Sequence, residues 1–234
     1  MTSTYFQESL PVKVIIFGAS GMMGQGVLRA CLLDPAVVRV LVVVRRPLGI
    51  SHPKLEEVVH QDFAALSAIA EQLAGHDACF YCLGASALGQ SEAEYTRITY
   101  DYTLAAAHAV STSNPGLTFT YISGEGTDSS EQGRTMWGRV KGRTENTLLG
   151  MPMRAYMFRP AYIRPSHGAA SRTQAYRVLY ASTSWLYPLL HRLAPRHTTT
   201  TEHIGRAMIA IARADVVEQR ILYSPDINRL GGES

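Results

Sequence analysis

Three glycines, Gly18, Gly21 and Gly24, stand three positions apart between the apolar run Val14 to Phe17 and an apolar-periodic segment, Val27 to Leu33. A short apolar run followed by helical periodicity puts them where a buried parallel strand turns into a helix. Glycine permits the tight reversal and lets backbone N–H groups approach a phosphate with no Cβ in the way. The helix N-terminus adds about half a positive charge. Ser20, Met22 and Met23 would complete the lining of such a phosphate site. The Gly-x-x-Gly-x-x-Gly spacing is one residue wider than the narrow dinucleotide fingerprint, and Gly26 follows it. The plainer alternative is that the glycines only let a helix pack closely on a strand.

About twenty residues beyond Gly24, the next apolar run, Val38 to Val44, ends in Arg45-Arg46, where a dinucleotide-binding fold places its ribose sensor. A carboxylate there would accept the ribose hydroxyls of NAD. Paired guanidiniums instead offer bidentate donors to a 2′-phosphate, so NADP(H) is expected over NAD(H), unless the two arginines are only solvated strand ends.

The elements that must position these groups follow in order. A helix from about Met22 stops at Asp34-Pro35. A strand over Leu55 to His60 leads to Asp62-Phe63. Asp62 can cap the helix suggested by Leu66, Ile69, Ala70 and Leu73, can approach an adenine edge beside Phe63, or both. The strand Ala78 to Leu83 runs into Gly84-Ala85, small residues against which a cofactor can lie together with Leu83. A long helix from Glu92 to Val110 carries Tyr95, Ile98, Tyr102, Ala105, Ala106 and Ala109 on one side as core contacts. A strand over Leu117 to Ile122 ends at Ser123-Gly124-Glu125-Gly126, in the crevice where open α/β sheets bind ligands. The next helix holds Trp137 and Lys141, four apart and so on one face. A strand over Met153 to Arg159 closes on Pro160 to Pro165. This alternation predicts a doubly wound parallel sheet in a single domain over 1–234.

Residues 172–193 are rich in Tyr, Leu and Trp, and 165–200 as a whole reads as a small helical cap on the substrate side. A packed core helix and an oligomer or membrane-surface contact are the alternatives. Thr198 to Thr201 supply hydroxyls to cap a helix over Glu202 to Ala214, Arg220 to Tyr223 reads as a last strand, and the tail from Asn228 is expected to fray.

Composition narrows the function classes. With 234 residues and 46% apolar content the chain can bury a full core, and a net charge of +3 without a basic block gives nucleic-acid binding no support. Cys79 and Cys82 form a C-x-x-C inside an expected buried strand with no second pair, which reads as buried thiols rather than a redox or zinc site, and no metal is expected. Without a leader-like N-terminus or a run of about 18 apolar residues, the expected setting is cytoplasmic, with no integral membrane segment and a small molecule as the partner.

Taken together, Gly18-x-x-Gly21-x-x-Gly24, Arg45-Arg46, Asp62-Phe63, Cys82-Leu83-Gly84-Ala85, Ile122-Ser123, Val140-Lys141-Gly142 with Glu145, and Phe158-Arg159-Pro160 resemble the short-chain dehydrogenase/reductase superfamily. Within it the likeness is to the atypical, NmrA-like branch that includes Tat-interacting oxidoreductase-like proteins, and it covers about residues 12–225. The resemblance implies a Rossmann-type fold and an NAD(P)-dependent oxidoreductase. It implies that Ser123 orients a substrate carbonyl, that Lys141 holds the nicotinamide ribose, and that Pro160 to Ile163 line the nicotinamide. Ala161 stands there where glycine is common.

The family's tyrosine, four before the lysine, is Trp137 here. An indole N–H donates a hydrogen bond but has no proton exchangeable near neutral pH. Either another acid serves, with Tyr162 the nearest candidate or water in its stead, or the chain binds the cofactor without transferring hydride, as a redox sensor or regulatory protein. Trp137 and Tyr162 would then border the substrate pocket. A carbonyl or quinone-like acceptor suits the first case. A sugar-nucleotide epimerase or dehydratase is disfavoured, because those reactions in related folds lean on the missing phenol.

Overall fold

Residues 11–166, 197–215 and 217–232 are described by the structure, a computed structural model. The first apolar run forms β1 (Val12–Phe17) and turns at Gly18 into α1 (Met22–Leu33). There follow β2 (Val37–Val44), β3 (Leu55–Val59), a single 3₁₀ turn and α2 (Ala70–Leu73), β4 (Ala78–Tyr81), α3 (Glu92–Thr96), α4 (Tyr102–Ser113), β5 (Thr118–Ile122), α5 (Met136–Leu149) and β6 (Arg154–Arg159). Beyond these lie β7 (Tyr162–Arg164), β8 (Thr198–Thr200), α6 (Thr201–Arg213), β9 (Ile221–Tyr223) and α7 (Ser224–Leu230).

Seven strands pair in the order β3-β2-β1-β4-β5-β6-β9, every pair parallel. Chain order reverses between β1 and β4, so this is the doubly wound Rossmann-type sheet that the alternation predicts. Both faces are covered, which is why its strands read as continuous apolar runs rather than alternating ones. Along β1, Val14 and Ile16 join a core with Val27 of α1 and Ile204 and Met208 of α6, while Ile15 and Phe17 join Tyr81, Phe119, Ala106 and Leu148 on the other face. Helices α1 and α6 approach closely because two glycines face them: a Cβ on Gly26 would overlap Thr201, and one on Gly205 would fall 2.7 Å from the Ala30 Cβ.

Three elements differ from expectation. Between α3 and α4, residues Arg97–Asp101 form a π-helical turn. Its extra residue rotates the helix, so the buried positions are Thr99, Thr103, Ala107 and Val110 as well as Tyr95 and Ala106, while Ile98, Tyr102, Ala105 and Ala109 are only half-buried. The threonines at 198–200 are a strand before they are a cap: β8 pairs in parallel with β7, Tyr162 opposite Thr198. Residues 228–232 are not frayed, because Asn228 is buried in α7, where its Nδ2 donates to the Thr198 carbonyl (2.9 Å) and its Oδ1 accepts from Thr199 Oγ1 (2.6 Å). The helix cap itself is as expected, with the His203 N–H donating to Thr200 Oγ1 at 3.0 Å. Most of the expected cap, including 172–193, lies outside the described residues.

At the opposite, N-terminal edge of the sheet, His76 is buried with its backbone N–H on Asn114 Oδ1 (2.8 Å) and its Nε2 without a hydrogen-bond partner among the described residues. Burial holds its imidazole below the usual range, helped by the charge of Arg39 and opposed by the Leu73 carbonyl and by Asp77. The unfolded chain therefore takes up a proton that the folded one refuses once pH falls below about 6.5, so this contribution to stability is intact at neutral pH and shrinks on acidification. His76→Gln should lose less stability than wild type between about pH 7 and about pH 5, read by urea unfolding; equal losses would contradict this.

Candidate active site

All seven strands point the same way, so their C-terminal ends gather Gly18, Arg45-Arg46, Asp62, Leu83 to Ala85, Ser123 and Pro160 along one edge. At the switch point, Gly18 has φ +80°, and a Cβ there would lie 2.6 Å from the Leu83 nitrogen. A Cβ on Gly24 would overlap the Gly18 carbonyl oxygen, which accepts the Gly21 N–H at 2.9 Å. Only glycine at both positions lets β1, the end of β4 and the start of α1 meet this closely. Helix α1 opens on Gly21 with no side-chain cap and no acidic residue in its first turn. Its leading amides are thus offered to an anion, and the donors present fit a diphosphate.

Both arginines at the end of β2 are exposed, and among the described residues neither guanidinium holds an ion pair. Their loop is pinned by Gln61 Nε2, which donates to the Arg45 carbonyl at 2.6 Å. Asp62 is exposed too, and its Oδ1 accepts the Ala64 N–H at 3.0 Å, a local turn that accounts for the residue structurally. The Phe63 ring is buried between Phe17 and Tyr102, so the backbone rather than the ring is what position 63 can offer a ligand.

At the other half of the edge, Ser123 is buried, and its Oγ donates to the Phe158 carbonyl at 3.0 Å. Lys141 Nζ donates to the Ser123 carbonyl oxygen rather than to the hydroxyl, and sits 5.8 Å from the centre of the Trp137 ring. Serine and lysine are therefore neighbours, but the hydroxyl hydrogen is turned toward the sheet. Desolvation pushes the half-buried Lys141 amine down to about 8, partly opposed by the Glu145 carboxylate one helical turn away. The Trp137 indole covers Gly126, whose φ is +87° and whose Cβ would fall 2.7 Å from the ring. A Cβ on Gly142 would overlap the Asp128 carbonyl, so α5 rests directly on the loop that follows Ser123.

Beneath the site lies a charge pair that sequence reading used only as a motif. Arg159, at the end of β6, donates Nε to both Glu145 oxygens at 3.1 Å and Nη2 to Oε2, with both side chains buried. Its remaining donors go to Ser129 Oγ (2.5 Å) and the Tyr223 hydroxyl (3.2 Å). The pair with Glu145 raises the guanidinium above its ordinary value, so it stays charged throughout. The network ties α5, β6, β9 and the loop after β5 into one frame around Lys141. The loop after β6 is tied likewise: Pro160 accepts the Glu125 N–H at 2.9 Å, and the Ala161 N–H donates to Ser224 Oγ at 3.1 Å.

Tyr162 and Ile163 are half-buried on β7, beside Thr198 and Thr199 of β8. Sequence reading passed over Glu125 and His197, which meet here: His197 Nδ1 lies 3.5 Å from Glu125 Oε1. No local signal joins two residues so far apart in the chain, because the β7–β8 pairing brings them together. Among the described residues no cluster of His, Cys, Asp or Glu could hold a metal, and no helix is long and apolar enough to cross a membrane.

No protein-family model matches the chain, and no curated protein resembles it in sequence. Solved structures share its fold. An oxidoreductase of the short-chain dehydrogenase/reductase family from Burkholderia thailandensis superposes with a TM-score of 0.67 at 17% identity, over 95% of this chain and 94% of that one. A short-chain dehydrogenase from Burkholderia cenocepacia J2315 in complex with NADP does so at 0.62 and 14%, over 92% and 88%. A variant of uronate dehydrogenase from Agrobacterium tumefaciens complexed with NAD gives 0.64 and 16%, over 91% and 76%.

Removing one partner of a buried pair strands the other charge, at a cost of about 3–5 kcal/mol, whereas replacing both with apolar groups is far less harmful. Glu145→Leu should therefore destabilise the protein by about that amount in urea unfolding, and Glu145→Leu with Arg159→Met should recover most of the loss. Additive losses would contradict the pairing.

Proposed function

We propose that the chain is an atypical, NmrA-like short-chain dehydrogenase/reductase that binds NADP(H) along the C-terminal edge of its sheet and reduces a carbonyl or quinone-like small molecule. One observation carries this reading: the glycine-only approach of Gly18 to Leu83 and of Gly24 to Gly18, beneath an uncapped helix start. The fold shared with an NADP complex and an NAD complex supports a nicotinamide dinucleotide, and the guanidiniums of Arg45 and Arg46, which hold no ion pair among the described residues, favour the 2′-phosphorylated form. The free thiols Cys31, Cys79 and Cys82 suit a cytoplasmic setting.

Such a cofactor, when bound, supplies hydride. The chain's own part is to bind, orient and protonate. Ser20 to Met23 would meet the diphosphate, with Leu83 to Ala85 alongside. Lys141, released from the Ser123 carbonyl, would hold the nicotinamide ribose, and Pro160 and Ile163 would border the ring. Ser123 has its hydrogen on Phe158, so orienting a substrate oxygen requires that hydroxyl to rotate outward. Trp137 and Tyr162 would flank the acceptor, with Tyr162 the phenol nearest in sequence to the nicotinamide loop. A quinone needs an acid least, because its reduced oxyanion takes a proton from water.

A second reading is a cofactor-dependent sensor without turnover. The inward Ser123 hydroxyl and the indole at position 137 favour it, since both withhold a proton from the acceptor.

Two measurements follow. In titration calorimetry NADPH should bind more tightly than NADH, and Arg45→Ala with Arg46→Ala should erase that preference, each lost charged hydrogen bond weakening NADPH by about 1.5–3 kcal/mol. Equal affinities in wild type would remove the 2′-phosphate argument. In assays with aldehydes, ketones and quinones, wild type should oxidise NADPH with at least one acceptor. Trp137→Tyr should be faster with the carbonyl substrates by up to about 10²-fold, the lower range for a restored general acid. NADPH binding with no turnover across the series would favour the sensor.

A further inference from the structure

The geometry points to His197 as the proton donor of the reduction proposed above, on which this inference rests, with Glu125 as the residue that positions it. Trp137 holds no exchangeable proton in the usual place. The phenols of β4 and β5 serve no better: Tyr81 and Tyr121 are fully buried among aromatic and aliphatic neighbours, and burial raises both well above the ordinary phenol. His197 is an imidazole that the fold brings beside the loop after Ser123, through Glu125. It immediately precedes β8, which is held on one side by pairing with β7 and on the other by Asn228. Its Nδ1 faces Glu125 Oε1 at 3.5 Å, and Glu125 is fixed where the β5 and β6 loops join, two residues after Ser123 and bonded through its N–H to Pro160.

A carboxylate on Nδ1 sets the tautomer and orientation of the ring and leaves Nε2 to pass the proton. The step balances with a reduced nicotinamide dinucleotide as the reductant. A hydride and its electron pair reach the carbonyl carbon, the C=O π pair moves to oxygen, and the proton on His197 Nε2 completes the hydroxyl. The neutral ring regains its proton from water, which the exposure of both side chains allows.

The test uses the full chain, NADPH and a carbonyl substrate that wild type reduces. His197→Ala should lower kcat by about 10²-fold or more, and free imidazole should restore part of it. Glu125→Gln should lower kcat with KM little changed, and Glu125→Asp should recover part. Carbethoxylation of His197 by diethyl pyrocarbonate, followed by peptide mass spectrometry, reads placement without turnover, and saturating NADPH should slow it. Unchanged kcat in His197→Ala, or unprotected labelling under conditions where calorimetry shows NADPH bound, overturns the assignment while leaving the reductase reading standing. If wild type binds NADPH and protects His197 yet reduces nothing, it is the reductase reading that fails, and the donor role falls with it.

Discussion

The structure depends on one steric constraint, the meeting of three backbones at the switch point of the sheet. Gly18 touches the first residues after β4, and Gly24 touches the carbonyl of Gly18. No side chain fits at either place, so the first crossover must be tight and must end in an uncapped helix. Everything downstream inherits that geometry. With β1 and β4 adjacent, the parallel sheet grows outward in both directions, and every strand delivers its following loop to the same edge. The candidate site is the sum of those loops.

The second half of the edge is built by a different device. Helix α5 lies on the loop after β5 through Gly142 and through the Trp137 ring on Gly126, which brings Lys141 to the Ser123 carbonyl. The buried Arg159–Glu145 pair, shared with Ser129 and Tyr223, keeps helix, strand and loop in register. A buried ion pair is weak evidence for stability against an apolar replacement. Its value here is geometric, because Glu145 sits one turn below Lys141 and moderates the desolvation of that amine. The same frame holds the Trp137 ring against Gly126 and near the Lys141 amine.

Much of this was legible in the chain because it is locally written. The run Val14 to Phe17, the glycines and the periodicity from Val27 each point to the same strand, turn and helix. What escaped sequence reading depends on distant partners. The π-helical turn at Arg97–Asp101 rotates α4 so that Thr103 rather than Tyr102 is buried, a choice made by packing and invisible to a fixed helical period. The threonines of β8 become a strand because β7 lies beside them and Asn228 satisfies them from α7. Helix α7 did carry a local signal in Ser224-Pro225-Asp226, proline in the first turn and an acidic residue closing on the Tyr223 N–H. Ser123, Lys141 and Trp137 were placed correctly on their elements, while the inward turn of the Ser123 hydroxyl belongs to the β5–β6 junction and to no motif.

The central claim is that the crossover between β1 and α1 is shaped for a dinucleotide diphosphate. A crystal structure of the protein grown with NADPH tests it most directly. The account predicts the diphosphate against the backbone amides from Ser20 to Met23, the 2′-phosphate at Arg45 and Arg46, and the nicotinamide beside Pro160. A dinucleotide bound elsewhere, or a crossover closed by the side chains of Met22 and Met23 with NADPH in excess, would contradict it.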